Sequence, residues 1–410
     1  MTDETFSLRP SDRQLLDALH RYGELDRAEL ARLSGLPRST VTDSVARLRQ
    51  RAVLVERTRP PSARTGAGRP PGVLALAPPP GAIGVVWLTH ESLHAHVLGF
   101  DGTLHGGRTL DPFTFDSPDR VSVSGRELLT EALRQASRTV DDMRCLVVAL
   151  PSPVTSGGAD PGGPGDGLLS WPALSSRLGP PLPLDPSWEL GQVPSIPAWL
   201  ENDANLAALG EGAFGAATDM SSFIYIKIVQ GIGAGLILDR RLHRGVNGLA
   251  GELAHIHAET DGPVCRCGGR GCLMTTFNAR RLVDRIQAVH PAATSMDDVM
   301  SLAAEGDPGV WRLLRDLGRM IGRSLAEFSL YVAPDGVVID GILQNAAKPV
   351  IDGIREAMYE FAPPAIVSQV TVVVGALADR AELHGAAVLA RYNMFGHDLL
   401  SRPGGVRGRS

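Results

Sequence analysis

Three helical segments are predicted in the first fifty residues, because apolar residues recur there at spacings of three and four. Ser11 and Asp12 are expected to cap the first segment, and the second is expected to begin near Asp26 and to stop at Gly35. The third begins at Pro37, a residue that favours a first helical turn. Two short helices joined by a glycine turn predict a helix-turn-helix, whose second helix enters the major groove of DNA.

The third segment has one apolar face, formed by Val41, Val45 and Leu48 at i, i+4 and i+7. Two apolar stretches follow, at 52–56 and 72–78, and they predict two strands around a tip rich in Arg and Pro, that is, a wing. The face opposite the apolar one, its flanks and the wing are therefore expected to contact DNA. The predicted DNA-contacting residues are Arg38, Ser39, Thr40, Thr42, Asp43, Arg47, Arg64 and Arg69.

Charge supports the same interpretation. Eight Arg lie between residues 38 and 69, against only Asp43 and Glu56, whereas the whole chain of 410 residues carries a net charge of −5. A basic segment on an acidic body is typical of a nucleic-acid-binding module attached to a sensor or an enzyme, and its phosphate contacts would make binding salt-dependent. Double-stranded operator DNA is the expected partner. The alternative is a small helical bundle with a solvated, Arg-rich loop.

From Gly81 onward, apolar stretches alternate with helical segments, which predicts an α/β body of two lobes. Residues 151–197 contain eleven Pro and predict a surface loop without regular elements. No apolar run approaches the length of a membrane span, and the polar N-terminus is unlike a secretory signal, so no membrane partner and a cytoplasmic, nucleoid-associated location are expected. The predicted strands lie at 82–88, 95–100, 144–151, 221–229, 234–239, 336–343 and 370–377.

A cluster of metal-binding residue types follows the predicted strand at 234–239. Cys265, Cys267 and Cys272 lie within eight residues, and histidines precede them at 255 and 257. Three thiolates and one imidazole match a closed tetrahedral zinc site, whose role would be structural because no position is left open for chemistry. The predicted ligands are the three cysteines and His255, although His257 is an alternative to His255. A reduced cluster without metal is the other interpretation.

The motifs in combination resemble those of the ROK family of repressors, open reading frames and sugar kinases. Gly251-Glu252-x-x-His255 precedes Cys-x-Cys-Gly-x-x-Gly-Cys, and ENDANLAALGE at 201–211 and GALADRAELHGAAVLA at 375–390 are similar to further family segments. The resemblance covers about residues 82–395, and the N-terminal helices resemble the repressor branch. It implies a two-lobed, actin-like and ribonuclease H-like α/β body with a sugar site in the cleft, preceded by a mostly α-helical winged helix-turn-helix domain.

The resemblance also implies roles for particular residues. Asp203 stands at the position of the base that deprotonates a sugar hydroxyl in the kinases, and Asn202, Glu252 and His255 stand at positions that bind sugar hydroxyls. For Asn202 and Asp203, a cap before the following helix is the structural alternative. The expected organisation is a winged helix-turn-helix at 1–78, a linker at 79–82, an N-terminal lobe at 83–202, a C-terminal lobe with the zinc motif at 203–385, and a helix returning to the N-terminal lobe, with a tail, at 386–410.

Several positions depart from the kinase pattern. Val86 replaces the Asp of the first phosphate loop, Gln230 interrupts the second, Asp340 enters the later glycine-rich turn, and Met274 replaces a sugar-contacting Glu. Phosphoryl transfer depends on positioning phosphates and metal, so loss of these elements should abolish ATP use. The prediction is a sugar-responsive repressor, dimeric or tetrameric, that is not an enzyme. The alternatives are an active sugar kinase with a DNA-binding head and a zinc-sensing regulator.

Overall fold

The computed structural model describes residues 9–22, 24–50, 53–58, 72–77, 81–114, 118–154, 196–265, 267–341 and 346–395. They fall into two compact units, one formed by the first 81 residues together with the chain after Ala390, and one formed by Ala82–Ala390. The domain and lobe boundaries given above stay predictions. No helix in the described part of the chain is long and apolar enough to cross a bilayer.

The first unit has the three predicted helices, α1 (Pro10–Tyr22), α2 (Arg27–Ser34) and α3 (Arg38–Gln50). The cap expected for α1 is wrong: the helix already begins at Pro10, and the carboxylate of Asp12 bonds to a side chain of α3 instead of the helix terminus. The cap of α2 is confirmed. Asp26 and Glu29 form a capping box there, and Gly35 ends the helix with a left-handed φ of 72°.

The apolar face of α3 packs as its spacing predicts. Val41, Val45 and Leu48 are at most 2% exposed and lie in one core with leucines of α1 and α2. After α3, strands β1 (Leu54–Thr58) and β2 (Gly72–Leu76) pair antiparallel, which confirms the two strands of the predicted wing. The tip between them, with Arg64 and Arg69, lies outside the described residues.

The larger unit begins with a five-stranded sheet in the order β5-β4-β3-β6-β7, with α4 packed on β3, β4 and β5. Two of its strands were missed by sequence reasoning. β5 contains two glycines and buries only one residue, and β7 follows the Pro-rich segment, so neither shows a continuous apolar run. The elements are β3 (Ala82–Leu88), β4 (Leu93–Leu98), β5 (Leu104–Leu110), α4 (Pro118–Gln135), β6 (Met143–Leu150) and β7 (Ala198–Asn202).

A second five-stranded sheet has the order β10-β9-β8-β11-β12, with β8, β11 and β12 parallel. Its strands are β8 (Phe223–Ile228), β9 (Ile232–Leu238), β10 (Arg241–Leu242), β11 (Gly336–Gly341) and β12 (Thr371–Val374). The helices of this part are α5 (Asp203–Phe214), α6 (Leu273–Thr276), α7 (Ala279–Gln287), α8 (Met296–Ala304), α9 (Pro308–Val332), α10 (Ala347–Phe361), α11 (Pro364–Val367) and α12 (Ala381–Phe395).

Helix α5 connects the two sheets, since it starts where β7 of the first sheet ends and packs on β8 and β9 of the second. Helix α12 crosses α5 at very short range. A Cβ at Gly385 would collide with the backbone carbonyl of Leu206, and one at Gly210 would collide with that of Ala381. The glycines therefore allow the two helix backbones to approach closely, with the start of α12 beside the second half of α5.

Candidate functional site

The predicted sugar-binding pair lies at the junction of β7 and α5. Asn202 is the N-cap of α5: its amide oxygen accepts the backbone N–H of Asn205 at 3.1 Å, and its amide nitrogen donates to the carbonyl of Ser152 at 3.2 Å. Asn202 therefore has the capping role that is the structural alternative to sugar binding. Asp203 is the first residue of the helix and is 8% exposed.

The carboxylate of Asp203 is held by a lysine from the second sheet. Lys227 of β8 donates to Asp203 at 2.7 Å and to Glu382, the second residue of α12, at 2.5 Å. All three side chains are at least 89% buried, and the ammonium also lies 5.1 Å from the centre of the Trp87 ring. Burial lowers the pKa of an ammonium, but here attraction to Asp203 and Glu382 outweighs burial and raises the pKa of Lys227.

This ion triad contains two carboxylates and one ammonium. Burial, reinforced by the negative charge of Asp203, raises the pKa of Glu382 to about 7, although Lys227 opposes the shift. The pKa of Glu382 thus lies at about 7 although its carboxyl bonds to an ammonium, because burial is the larger effect and Lys227 also bonds to Asp203.

Sequence reasoning missed this triad. Two signals could have pointed to it: a lysine inside the apolar strand FIYIKI, and a glutamate near the start of an otherwise apolar helix. A charged residue in such a setting is rarely buried without a partner. The sequence does not show which residues are the partners, because Asp203, Lys227 and Glu382 are far apart along the chain.

A cavity of about 600 Å³ opens beside the triad. Its walls come from the β3–β4 turn, β8, the end of β11 and the segment before α12. The residues that line it are Trp87, Thr89, His90, Glu91, Asp203, Tyr225, Lys227, Val229, Gln230, Asp340, Gly341, Ala378, Asp379 and Glu382.

Two of the positions that depart from the kinase pattern, Gln230 and Asp340, line this cavity and form hydrogen bonds there. The amide of Gln230 donates to Glu91 at 2.8 Å, which joins the turns of the two sheets directly. The carboxylate of Asp340 accepts the backbone N–H of Gly341 at 2.7 Å and the hydroxyl of Tyr225 at 3.0 Å. Backbone N–H groups of a glycine-rich turn are typical phosphate ligands, and here a side-chain carboxylate of the same turn already bonds to one.

Glu252 and His255 lie on one 3₁₀ turn, where Glu252 is the N-cap residue and His255 is the last residue. Burial raises the pKa of Glu252 to about 7. Nδ1 of His255 lies 3.6 Å from Sγ of Cys265, so this imidazole belongs to the cysteine cluster. Glu252 therefore sits within three residues of a candidate metal ligand.

The four predicted metal ligands come together. The ligand atoms of His255, Cys265, Cys267 and Cys272 all lie within 4.8 Å of one another, and the sulfurs of Cys267 and Cys272 are 3.6 Å apart. Ligands at about 2.3 Å from a tetrahedral ion are separated by roughly 3.8 Å, so the arrangement could hold a metal ion. His257 is not in the cluster, because its Nδ1 lies 3.1 Å from the carbonyl of Arg270.

Glycines allow the chain to wrap around the cluster. Gly268 and Gly271 have φ of 90° and 65°, in the left-handed region, and a Cβ at Gly271 would collide with the carbonyl of Glu259. Met274, in place of the expected Glu, is partly buried and packs against the core of the second sheet.

The predicted DNA-contacting residues of α3 lie on its outer face. Arg38, Ser39, Thr42 and Asp43 are exposed, and Thr40 is half-buried. Arg47 is different: its guanidinium forms an ion pair with the buried Asp12 at 2.7 Å and bonds to Ser44 at 2.8 Å. Part of its hydrogen-bonding capacity is thus used within the unit.

Comparison with known proteins agrees with these features. The ROK family model matches residues 183–393, slightly more than half of the chain. The xylose repressor of Bacillus subtilis is 25% identical over 358 residues, covering 87% of this chain and 88% of the repressor. The glucokinase of Streptomyces coelicolor is 32% identical over 214 residues, covering 48% of this chain and 68% of the kinase.

Among solved structures, a ROK family transcriptional regulator homologous to the E. coli MLC protein superposes with a TM-score of 0.72 and 22% identity, covering 95% of this chain and 98% of the other. This likeness concerns the fold, which includes the α/β body and the N-terminal helices. Taken with the family model and the relatives, it leads to a single assignment: the chain belongs to the ROK family.

Proposed function

We propose that this protein is a sugar-responsive, DNA-binding transcription regulator, most simply a repressor, that has lost ATP use. The proposal is carried by the combination of two features in one chain. One is a helix-turn-helix with an exposed polar face. The other is a ROK cleft in which Asp203, at the position of the kinase base, is bound to Lys227. The resemblance of the chain to a xylose repressor over most of its length supports the same function.

The cleft favours a sugar over a nucleotide. Carboxylate and amide side chains at Asn202, Asp203 and Glu252 can bond to hydroxyls, and a site built around such bonds rejects analogues that lack the hydroxyl. A general base must be free to take a proton, whereas Asp203 is ion-paired with Lys227 at 2.7 Å. Asp340 and Glu91 add negative charge where the phosphates of ATP would have to lie. These contacts support a binding role for Asp203 without catalysis.

The metal site fits a structural zinc ion. His255, Cys265, Cys267 and Cys272 would hold Zn²⁺, and the ion would supply folding free energy to the 255–272 segment. Because His255 follows Glu252 on the same 3₁₀ turn, this segment also sets the position of Glu252 at the sugar site. Four protein ligands leave no open coordination position, so the ion would have no part in chemistry.

DNA recognition would use the outer face of α3 and the wing, in the cytoplasm at the nucleoid. A homodimer, or a tetramer of two dimers, would place two copies of α3 in successive major grooves of a palindromic operator. Sugar binding changes operator affinity only if the sugar binds the two conformations of the protein with different affinities.

The test uses the full chain and a labelled duplex from the region upstream of its own gene. Anisotropy at 50–200 mM salt should give a linear fall of log K with log[salt], and an effector sugar should change the operator Kd about 5- to 150-fold. Asp203→Asn should abolish the sugar response and leave DNA binding intact, while Asp352→Asn, at a half-buried position of α10 that does not line the cavity, should change neither. The absence of DNA binding at low salt would contradict the proposal.

A second assay addresses catalysis. Incubation with ATP, Mg²⁺ and a panel of hexoses should yield no sugar phosphate. Turnover that disappears in Asp203→Asn would show that Lys227 does not suppress the base, and it would make the protein a kinase with a DNA-binding head.

A further inference from the structure

The cavity beside the ion triad is larger than the sugar site by itself requires. It has a volume of about 600 Å³, and its lining includes Asp203 but not Glu252. Pockets of about 300–1,000 Å³ hold ligands of drug size, so there is room for a group well beyond a single pyranose ring. A ligand bound at Asp203 would therefore have space next to the hydroxyl that faces this carboxylate.

The charge of the cavity excludes one class of occupant. Among the described residues that line it, five are acidic and Lys227 is the only Lys or Arg. That lysine is already bonded to Asp203 and Glu382. A phosphate group would meet carboxylates without a free ammonium or guanidinium to balance it, and like charges in a partly enclosed site repel strongly.

The same walls suit a neutral, hydroxyl-rich group. Asp379 is exposed at the cavity, and Glu91 and the 2% exposed Asp340 line it as well. Ionised carboxylates only accept hydrogen bonds, and sugar hydroxyls are donors that match them. The lining also includes Thr89 and Gln230, which can both donate and accept. Acceptor-rich walls of this kind are complementary to a second sugar ring.

We propose that the effector is a neutral glycoside of at least two sugar rings, with one ring at Asn202, Asp203 and Glu252 and the next in the cavity lined by Glu91, Asp340 and Asp379. The inference rests on the proposed function and adds the class of ligand. The space that ATP would need in a ROK kinase becomes a second sugar subsite, and sugar phosphates are rejected by the carboxylates.

Isothermal titration of the full-length protein against matched probes tests this. The probes are glucose, xylose, glucose 6-phosphate, and the disaccharides cellobiose, gentiobiose and xylobiose. At least one disaccharide should bind tenfold or more tightly than its own monosaccharide, and glucose 6-phosphate should bind more weakly than glucose. Asp379→Ala should weaken disaccharide binding about tenfold, as expected for loss of a charged hydrogen-bond acceptor, and leave monosaccharide binding within twofold.

The controls separate this inference from the proposed function. Asp352→Ala removes a half-buried carboxylate on α10 that does not line the cavity, and it should change no sugar affinity. Equal affinity for monosaccharides and disaccharides, or tighter binding of glucose 6-phosphate than of glucose, would contradict the second subsite. Neither result would contradict the proposed regulator function. If no sugar of either class binds or alters DNA affinity, the proposed function itself fails.

Discussion

Replacing Lys227 with Met would remove the ammonium that neutralises the ion triad while keeping a side chain of similar length. Asp203 and Glu382, with side chains 11% and 5% exposed, would then face each other without a counter-ion. Breaking a buried ion pair by removing one partner costs about 3–5 kcal/mol, because the remaining charge is buried and uncompensated. At roughly 2 °C per kcal/mol for a unit of this size, the Tm should fall by about 6–10 °C.

The loss should depend on pH. Burial raises the pKa of Glu382 above its ordinary value of 4.5 to about 7, so its neutral form is favoured by folding. Stability from this group is present in acid and is lost as the pH rises from about 4.5 through about 7. Without Lys227 the pKa of Glu382 should rise further, because the ammonium that opposes the shift is gone, so the destabilisation should be larger at pH 8 than at pH 5.5. Burial also raises the pKa of Glu252, but it does so in both proteins, so this contribution cancels in the difference between their stabilities.

Thermal unfolding of the two proteins at both pH values measures the effect. Lys348→Met is the matched control: Lys348 pairs with Asp352 at 2.6 Å but its side chain is 71% exposed, so it should cost no more than about 0.5 kcal/mol. Glu382→Gln should be far milder than Lys227→Met at pH 8, since one ammonium then faces one carboxylate. A loss below about 1 kcal/mol, or one that does not change with pH, would refute the reasoning.

Three further predictions follow from the metal cluster, α3 and the crossing of α5 and α12. Cys272→Ser should lose one equivalent of bound Zn²⁺ and lower stability in a way that a chelator reproduces, whereas His257→Ala should retain the metal; metal analysis by mass spectrometry distinguishes them. Arg38→Ala should weaken binding to DNA of any sequence by a similar factor and reduce the slope of log K against log[salt] by about 1. Arg312→Ala on α9 should do neither in the same titration. Gly385→Ala should destabilise by about 1–3 kcal/mol or more in urea unfolding, because its Cβ would strike the backbone of α5, and an unchanged midpoint would contradict this packing.

Local patterns were enough for much of this protein. The helices of the first unit follow from apolar spacing and from chemistry at Asp26 and Gly35, which acts within one turn of the chain. The cysteines of the candidate metal site follow from spacing as well, because Cys265, Cys267 and Cys272 are too close in sequence to be far apart in space. Edge strands such as β5 were not predictable, since an exposed edge containing two glycines lacks an apolar pattern.

The sequence by itself therefore determined most of the elements, the α/β class, the candidate metal cluster and, through motifs shared with the ROK family, the position of Asp203. Only the tertiary structure placed His255, and not His257, beside the three cysteines, showed Arg47 paired with Asp12, and brought Lys227 to Asp203 and Glu382. The physical reason is distance along the chain. Helical periods, caps and glycine turns act between near neighbours, whereas the charge balance of a buried site depends on side chains that meet only when two sheets and two helices have packed.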